Sequence, residues 1–244
     1  AGKPLVPVHH IRGHIAANYL VHPLLAPPFL ALVVSGGDTS LIRVDGYTDF
    51  KRIGQTRDDA AGEAFDKGAR VLGLPYPGGV EIDRLAKSGD PYAVKFPQVS
   101  FKDAPFDFSF SGVKTAVINY VHTAAQRGQS INAADVAASY SEAITGVLTE
   151  KFFSAAKELG FTRLVVAGGV SANSMLRHKL QSGLPRGCKL YIPPLSLCGD
   201  NAAMVGAQGF YEYRAGFIAG LDQNGLATAD IQEALCKPKD GISF

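Results

Sequence analysis

Two apolar, β-branched segments each end in a Gly-Gly pair, and this repeated unit constrains the fold more than any other feature of the chain. The first is FLALVVSGG, residues 29–37, and the second is LVVAGG, residues 164–169. Short runs of this composition are typical of buried strands, and the glycines predict tight turns directly after them. A second β-rich segment follows the first turn, which predicts a hairpin, whereas a helical pattern follows the second turn.

The rest of the chain alternates between helical and strand patterns. DGYTDFKRIGQT predicts a third strand, and residues 58–74, 80–87 and 133–159 are expected to be helical. FDFSFSGVKTAVINYVHTAA predicts a strand, a turn and a helix, and KLYIPPLSLCGDNAAMVGAQGFYEY predicts a strand, a loop and a helix. From about Asp222 we expect a tail or an edge element. This order predicts an α/β fold with some antiparallel hairpins.

Composition narrows the class of protein. The 244 residues are 46% hydrophobic and 19% charged, which is ordinary for a globular protein. No apolar run reaches the length of a membrane span, so no membrane association is expected. The three cysteines form no CxxC pair, which favours a reducing cytosol over a disulfide framework. The net charge of +2 neither demands nor excludes a nucleic-acid partner.

Two histidines near the start of the chain are the first candidate for a chemical site. His10 and His14 are four residues apart in a predicted helix, so both imidazoles can reach one metal ion. From spacing alone, a structural pair of histidines is an equal alternative. The residues between them, Ile11, Arg12 and Gly13, include no carboxylate, so the general base of an HExxH protease is absent.

Other features are compatible with a bound nucleotide. Backbone N–H groups at the two Gly-Gly turns can bind phosphate, although each turn alone is usually only a turn. Asp200, in GDNAAM, is expected at the start of a helix, where helix capping is the structural alternative. Asp59, Glu63 and Asp66 follow helical spacing and form either a solvated acidic face or a set of acceptors for ribose hydroxyls.

Six segments, in their order along the chain, resemble motifs of the universal tRNA threonylcarbamoyladenosine transferase family, once described as glycoprotease or O-sialoglycoprotein endopeptidase. They are HHIRGH, VVSGGDTSL, DDAAGEAFDKGARVLGLPYPGG, FSFSGVKTA, VVAGGVSANSMLR and CGDNAAM. The resemblance covers residues 4–216 and is closest to the bacterial or organellar branch. It implies an actin-like ATPase fold, of the sugar kinase and Hsp70 type, in which two related domains close over a nucleotide. Residues 1–109 would be the remainder of the first domain and residues 110–244 the second, with the C-terminal tail packing back on the first.

The same resemblance implies a set of site residues. Asp200 would join His10 and His14 around one divalent metal per subunit; two histidines and a carboxylate suit iron or zinc, and the resemblance favours iron. The phosphate or acyl-phosphate would lie against Val33, Val34, Ser35, Gly36 and Gly37. The ribose side would be held by Asp66, Gly79 and Asp83, and the adenine would lie against Gly169 and Asn173. Ser109 and Ser111 would be near the site, with a structural turn as the alternative.

The activity implied by the resemblance is transfer of a threonylcarbamoyl group from threonylcarbamoyl-adenylate to N6 of adenosine 37 in tRNAs that read ANN codons. The implied partners are tRNA, a paralogous dimerisation partner and a small ATPase, in the cytoplasm or, for an organellar member, in a mitochondrion or plastid. No general base is identified. The family's first phosphate motif is not found before His9, so we expect this chain alone to be weak in transfer. A metalloprotease and a non-catalytic nucleotide-binding scaffold remain the alternatives.

Overall fold

A five-stranded mixed sheet lies at the centre of the molecule, of which a computed structural model describes residues 2–238. The strands are β1 (Phe29–Val34), β2 (Thr39–Gly46), β3 (Asp49–Gln55), β4 (Arg163–Ala167) and β5 (Lys189–Tyr191). They are arranged in the order β3-β2-β1-β4-β5. The first three form an antiparallel meander, whereas β4 pairs in parallel with both β1 and β5. The predicted α/β class and the hairpin around the first Gly-Gly turn are therefore confirmed.

Helices cover the sheet on both faces. The described residues contain α1 (His10–Ala16), α2 (Ala61–Val71), α3 (Gly78–Ala86), α4 (Ser111–Gln126), α5 (Ala133–Leu159), α6 (Ser174–Ser182) and α7 (Ala202–Arg214). Each helical pattern in the sequence has its helix, and α5 ends at Gly160 in a left-handed conformation with φ of 74°, which glycine adopts without strain.

The central strand β1 separates two hydrophobic cores because all six of its residues are buried. Successive side chains of a strand point to opposite faces. Leu30, Leu32 and Val34 accordingly pack into the larger core with helices α2 to α6. Phe29, Ala31 and Val33 pack into the smaller core, which includes residues of α1. A continuous apolar run is what a strand covered on both faces requires.

The strand predicted in FDFSFS is wrong. Residues 106–110 form no strand, and only a single bridge joins Thr56 to Phe108. The backbone N–H groups of Phe110 and Ser111 donate instead to the carboxylate of Asp58. These donors hold the start of α4, so they are not available to a strand ladder.

The sheet contains strands from both sides of residue 109, since β1 to β3 precede it and β4 and β5 follow it. The division of the chain at 109/110 remains a prediction, but it does not separate two sheets in the described chain. The C-terminal segment packs on the start of the chain: Leu5 forms a bridge with Ala219, and Ile231 is fully buried in the smaller core. The end of the predicted tail, residues 239–244, lies outside the described residues. None of the described helices is long and apolar enough to cross a membrane.

Candidate metal centre and phosphate turn

Two histidines and one carboxylate from distant parts of the chain meet at one point. The Nε2 atom of His10 lies 3.3 Å from Oδ1 of Asp200, and Nε2 of His14 lies 3.1 Å from the same oxygen. One ligand atom from each of the three residues can be chosen so that all lie within 4.8 Å of one another. Between residues 2 and 238, no other group of three such side chains has this arrangement.

Helix caps next to the three candidate ligands set the direction of the His10, His14 and Asp200 side chains. His9 is the N-cap of α1, and its Nδ1 accepts a hydrogen bond from the backbone N–H of Ile11. Nε2 of His9 therefore carries the proton and donates to the carbonyl of Ala229 at 3.0 Å. At α7, Asn201 is the N-cap, and its side chain accepts from Met204 N. Capping by Asp200 is thus excluded, and its carboxylate faces the two histidines.

The three side chains differ sharply in exposure. His14 is only 2% exposed, whereas the side chains of His10 and Asp200 are 55% and 76% exposed. Burial lowers the pKa of His14, and the nearby His10 lowers it further, while Asp200 opposes the shift. A neutral imidazole is the form that binds metal. The site therefore has one rigid buried donor and two donors open to solvent.

The donor set fits a small divalent ion. Four bonds of about 2.1 Å in tetrahedral directions place neighbouring donor atoms about 3.4 Å apart. The two nitrogen–oxygen separations at Asp200, 3.1 and 3.3 Å, are close to this spacing. Because only three protein donors are present in the cluster, an ion held there would keep open positions for substrate oxygens.

The first Gly-Gly turn is shaped by Ser35. Its Oγ accepts hydrogen bonds from the backbone N–H groups of Gly37 and Asp38, at 3.3 and 2.9 Å. A Cβ atom built on Gly36 or Gly37 would meet no atom within 4 Å, so this side of the turn is open. The open space lets a ligand approach the backbone closely, as a phosphate site requires.

A third glycine, Gly62 at the start of α2, brings this helix against the turn. Its N–H donates to the carbonyl of Ser35 at 3.1 Å, and a Cβ at this position would lie 2.6 Å from the same oxygen. Only glycine fits there without a shift of the backbone. Sequence reasoning did not single out Gly62, because neither spacing nor a turn dipeptide distinguishes it from other helical glycines.

The second Gly-Gly turn contacts the first strand through Gly168. Its φ is 92°, and a Cβ there would lie only 2.3 Å from the carbonyl oxygen of Val34. Gly169, the residue expected to contact adenine, has open space around it and begins a short 3-10 helix. Asn173 ends this turn as the N-cap of α6, with its Oδ1 accepting from Leu176 N at 2.9 Å.

The carboxylates expected on the ribose side connect three helices. Oδ1 of Asp66, in α2, accepts from the backbone N–H of Gly79, in α3, at 3.2 Å. Oδ1 of Asp83, in α3, accepts from both the backbone N–H and the hydroxyl of Ser174, each at 2.8 Å. The structure thus brings Asp66 next to Gly79 and Asp83 next to the residue that follows Asn173.

The other members of the predicted acidic face form ion pairs. Lys67 Nζ lies 2.7 Å from Asp59 and 2.6 Å from Glu63, and Lys114 lies 2.6 Å from Asp59. Asp59 precedes α2 rather than continuing its face. This network supports the structural interpretation of Asp59 and Glu63.

The two serines expected near the site both bind Asp58. Its Oδ2 accepts from the hydroxyls of Ser109 and Ser111, at 2.5 and 2.7 Å. Burial alone would raise the pKa of Asp58, but these hydrogen bonds and those from two backbone N–H groups lower it overall. The structural turn, the alternative for these serines, is what the structure contains. Asp58 itself was missed, since nothing local marks it as the centre of this turn.

One cavity is lined both by His10 of the metal cluster and by the phosphate turn. It has a volume of about 710 Å³ and is lined by His10, Ser35, Gly37, Asp38 and part of the C-terminal segment, residues 223–229. The C-terminal segment therefore forms one wall of the cavity. Its composition does not indicate this role, which depends on long-range packing.

Residues 1–207 match the family model described as TsaD, tRNA N6-adenosine threonylcarbamoyltransferase. A protein of that name from Clostridium beijerinckii is 50% identical over 223 residues, which are 91% of this chain and 66% of the relative. Another, from Anaeromyxobacter dehalogenans, is 53% identical over 226 residues, which are 91% of this chain and 67% of the relative. The chain thus spans about two thirds of the length of the relatives that it matches.

Among solved structures, the chain resembles two HypF proteins. Full-length HypF in a phosphate- and nucleotide-bound form has a TM-score of 0.66 and 14% identity, over 88% of this chain and 36% of HypF. HypF from T. kodakarensis has the same TM-score and 16% identity, over 88% of this chain and 38% of that protein. At this identity the likeness concerns the fold alone, and it confirms the actin-like ATPase fold.

Proposed function

The chain belongs to the tRNA N6-adenosine threonylcarbamoyltransferase family, and we propose on this premise that it transfers a threonylcarbamoyl group to tRNA. The donor is threonylcarbamoyl-adenylate, and the acceptor is N6 of adenosine 37 in tRNAs that read ANN codons. One observation carries the proposal beyond family membership: His10 of the metal cluster and Ser35 and Gly37 of the phosphate turn line the same cavity. An acyl-adenylate needs both kinds of site, because its phosphate must be held beside the reacting carbonyl.

We assign His10, His14 and Asp200 as the ligands of one divalent metal, with iron favoured and zinc second. Such an ion, when bound, polarises phosphate or carbonyl oxygens as a Lewis acid. The buried His14 fixes one ligand direction, and the exposed carboxylate of Asp200 can adjust to it. Because one ligand is fixed and another can adjust, the site can keep its geometry while remaining open to substrate.

The nucleotide is assigned to the ends of two neighbouring parallel strands, β1 and β4. Ligands of open α/β sheets bind outside the carboxyl ends of the strands, and the two Gly-Gly turns lie at those ends. The phosphate contacts are assigned to Val33, Val34, Ser35, Gly36 and Gly37, the ribose contacts to Asp66, Gly79 and Asp83, and the adenine contacts to Gly169 and Asn173. A carboxylate accepts several hydrogen bonds, so the contacts of Asp66 and Asp83 leave capacity for hydroxyl groups.

The donor, threonylcarbamoyl-adenylate, is a mixed anhydride, and the reaction follows from this chemistry. The adenosine N6 amine attacks the carbamoyl carbonyl carbon, a C–N bond forms, and the bond from that carbon to the phosphate oxygen breaks. AMP leaves with the electron pair of that bond, and the amine releases one proton. Backbone N–H groups of the turns stabilise the charge that develops on the leaving phosphate.

The proposed partners are tRNA, a paralogous dimerisation partner and a small ATPase that acts in the same modification. Of these, tRNA follows from this activity, whereas the other two follow from the family resemblance and not from a visible surface. Because the acceptor is tRNA, we assign the activity to the cytoplasm, or to the mitochondrion or plastid in an organellar setting.

The decisive experiment is transfer to defined tRNA transcripts by the full-length protein with its partners, followed by mass spectrometry of the nucleosides. Modified adenosine should form with adenosine 37 and not with guanosine 37, which has no N6 amine. Asp200→Ala should abolish transfer, whereas the exposed Glu158→Ala should not. The protease alternative would be supported instead if the protein hydrolysed glycoprotein substrates, lost this hydrolysis in the His10→Ala variant, and formed no modified nucleoside.

A further inference from the structure

Arg12 is a buried arginine that the proposed reaction does not use. Its side chain is 3% exposed, although arginine is rarely buried without a partner. It lies midway between His10 and His14 in α1. Residues two apart in a helix are separated by about 200° around its axis, so Arg12 is directed away from the metal cluster.

Every part of the guanidinium is engaged by other elements. Nη1 lies 2.9 Å from Oε1 of Glu212, in α7, whose side chain is 4% exposed. Nε and Nη2 both donate to the carbonyl of Ile231, at 2.9 and 2.6 Å, and Nη2 also donates to the carbonyl of Glu233 at 2.9 Å. Glu212 accepts a second bond from Gln208 at 2.8 Å. Arg12 thus binds both α7 and the C-terminal segment.

The two helices joined by this pair are the two that determine the metal ligands. α1 carries both histidines, and Asp200 lies just before α7. The helices approach closely where Gly13 faces Met204, since a Cβ on Gly13 would lie 3.6 Å from Met204 Cγ. This apolar contact brings the helices together but leaves their relative shift along the axes less defined. A charged pair with directional hydrogen bonds defines that shift.

Stability alone is a poor reason for such a pair. A buried ion pair is often no more stabilising than well-packed apolar side chains of the same size, because both charges lose their hydration. Metal ligands, by contrast, must be placed to within about 0.2 Å. We propose that Arg12 and Glu212 are positioning residues, which hold α1 and α7 in the register that brings His10 and His14 to Asp200. This inference rests on the metal centre of the proposed function.

The test uses Co²⁺, whose visible absorption reports its coordination geometry, with the purified full-length protein. The double variant Arg12→Met with Glu212→Met removes both charges and keeps similar volumes, but it leaves the carbonyls of Ile231 and Glu233 without their donor, so its unfolding temperature should fall. Its Co²⁺ affinity should fall about 10- to 100-fold, the usual effect of losing support behind metal ligands, and the spectrum should change. The Co²⁺ affinity of Arg12→Lys, which keeps the charge without the planar fork, should lie between those of the parent and the double variant.

A matched control separates position from stability. Tyr140→Phe removes a buried 2.8 Å hydrogen bond to the carbonyl of Ala64 in the other core, and it should lower the unfolding temperature without changing Co²⁺ affinity. The inference fails if the double variant binds Co²⁺ with the affinity and spectrum of the parent. If the double variant does not fold, the Co²⁺ affinity and spectrum of Arg12→Lys are compared with those of the parent, and the inference fails if they are the same. A parent that transfers the threonylcarbamoyl group but binds no Co²⁺ would refute the metal assignment and this inference, while leaving the transferase function in place.

Discussion

Gly168→Ala should destabilise the protein strongly, and the effect can be worked out from the contact between the ends of β1 and β4. Gly168 has a φ of 92° and a ψ of 163°, a backbone region essentially restricted to glycine, which costs an alanine about 1–3 kcal/mol. The new Cβ would also lie 2.3 Å from the carbonyl oxygen of Val34, well inside van der Waals contact. Because that oxygen belongs to the central strand, it cannot move aside, and forced overpacking adds about 1–3 kcal/mol. The free energy of unfolding should therefore fall by about 2–6 kcal/mol.

The neighbouring glycine provides the matched control. A Cβ added to Gly169 would meet no atom within 4 Å, and the φ of this residue is not positive. Gly169→Ala should therefore change the free energy of unfolding by less than about 1 kcal/mol. In a chain of this length, the unfolding temperature shifts by about 2–4 °C for each kcal/mol. Thermal and urea unfolding should separate the two variants clearly, and equal stabilities would refute the assignment of the close approach to Gly168.

Three further outcomes are expected. His14→Ala and Asp200→Ala should each remove most of the bound metal, because the two remaining ligands hold an ion poorly. The control variant His122→Ala, at an exposed histidine, should keep its metal. Full metal occupancy of His14→Ala and Asp200→Ala by elemental analysis would contradict the ligand set. Gly169→Val should weaken binding of a non-hydrolysable adenylate while the circular dichroism spectrum stays unchanged, and unaltered affinity by calorimetry would count against the adenine assignment. Since hydrogen bonds lower the folded-state pKa of Asp58, its stabilising contribution is present above about pH 4 and is lost as the pH falls through the folded value. Urea unfolding should thus show a larger loss for Asp58→Asn at pH 6 than at pH 3, and an equal loss at both pH values would be inconsistent with this pKa shift.

Local patterns were sufficient for most of the secondary structure. The apolar run of β1 and the helical periodicity of α5 act over short distances, so each segment predicts its own conformation. The strand expected in FDFSFS was wrong for the opposite reason. Its backbone donors bind Asp58, a residue some fifty positions earlier in the chain, and periodicity contains no information about that contact.

By itself, the sequence determined the α/β class, the two strand–Gly-Gly units, the family and the residue types of a candidate metal site. These depend on composition, on local spacing and on the order of motifs along the chain. Only the tertiary structure decided that Gly168 makes the close approach, that Asn201 and not Asp200 caps α7, and that Arg12 joins α1 to α7 and the C-terminal segment. The contacts of Gly168 and Arg12 depend on distances between atoms far apart in the chain, which are set by the packing of the whole molecule and are not encoded in any single segment. The cap at Asn201 is a local contact, but Asp and Asn are equally good capping residues, so the sequence could not choose between Asp200 and Asn201.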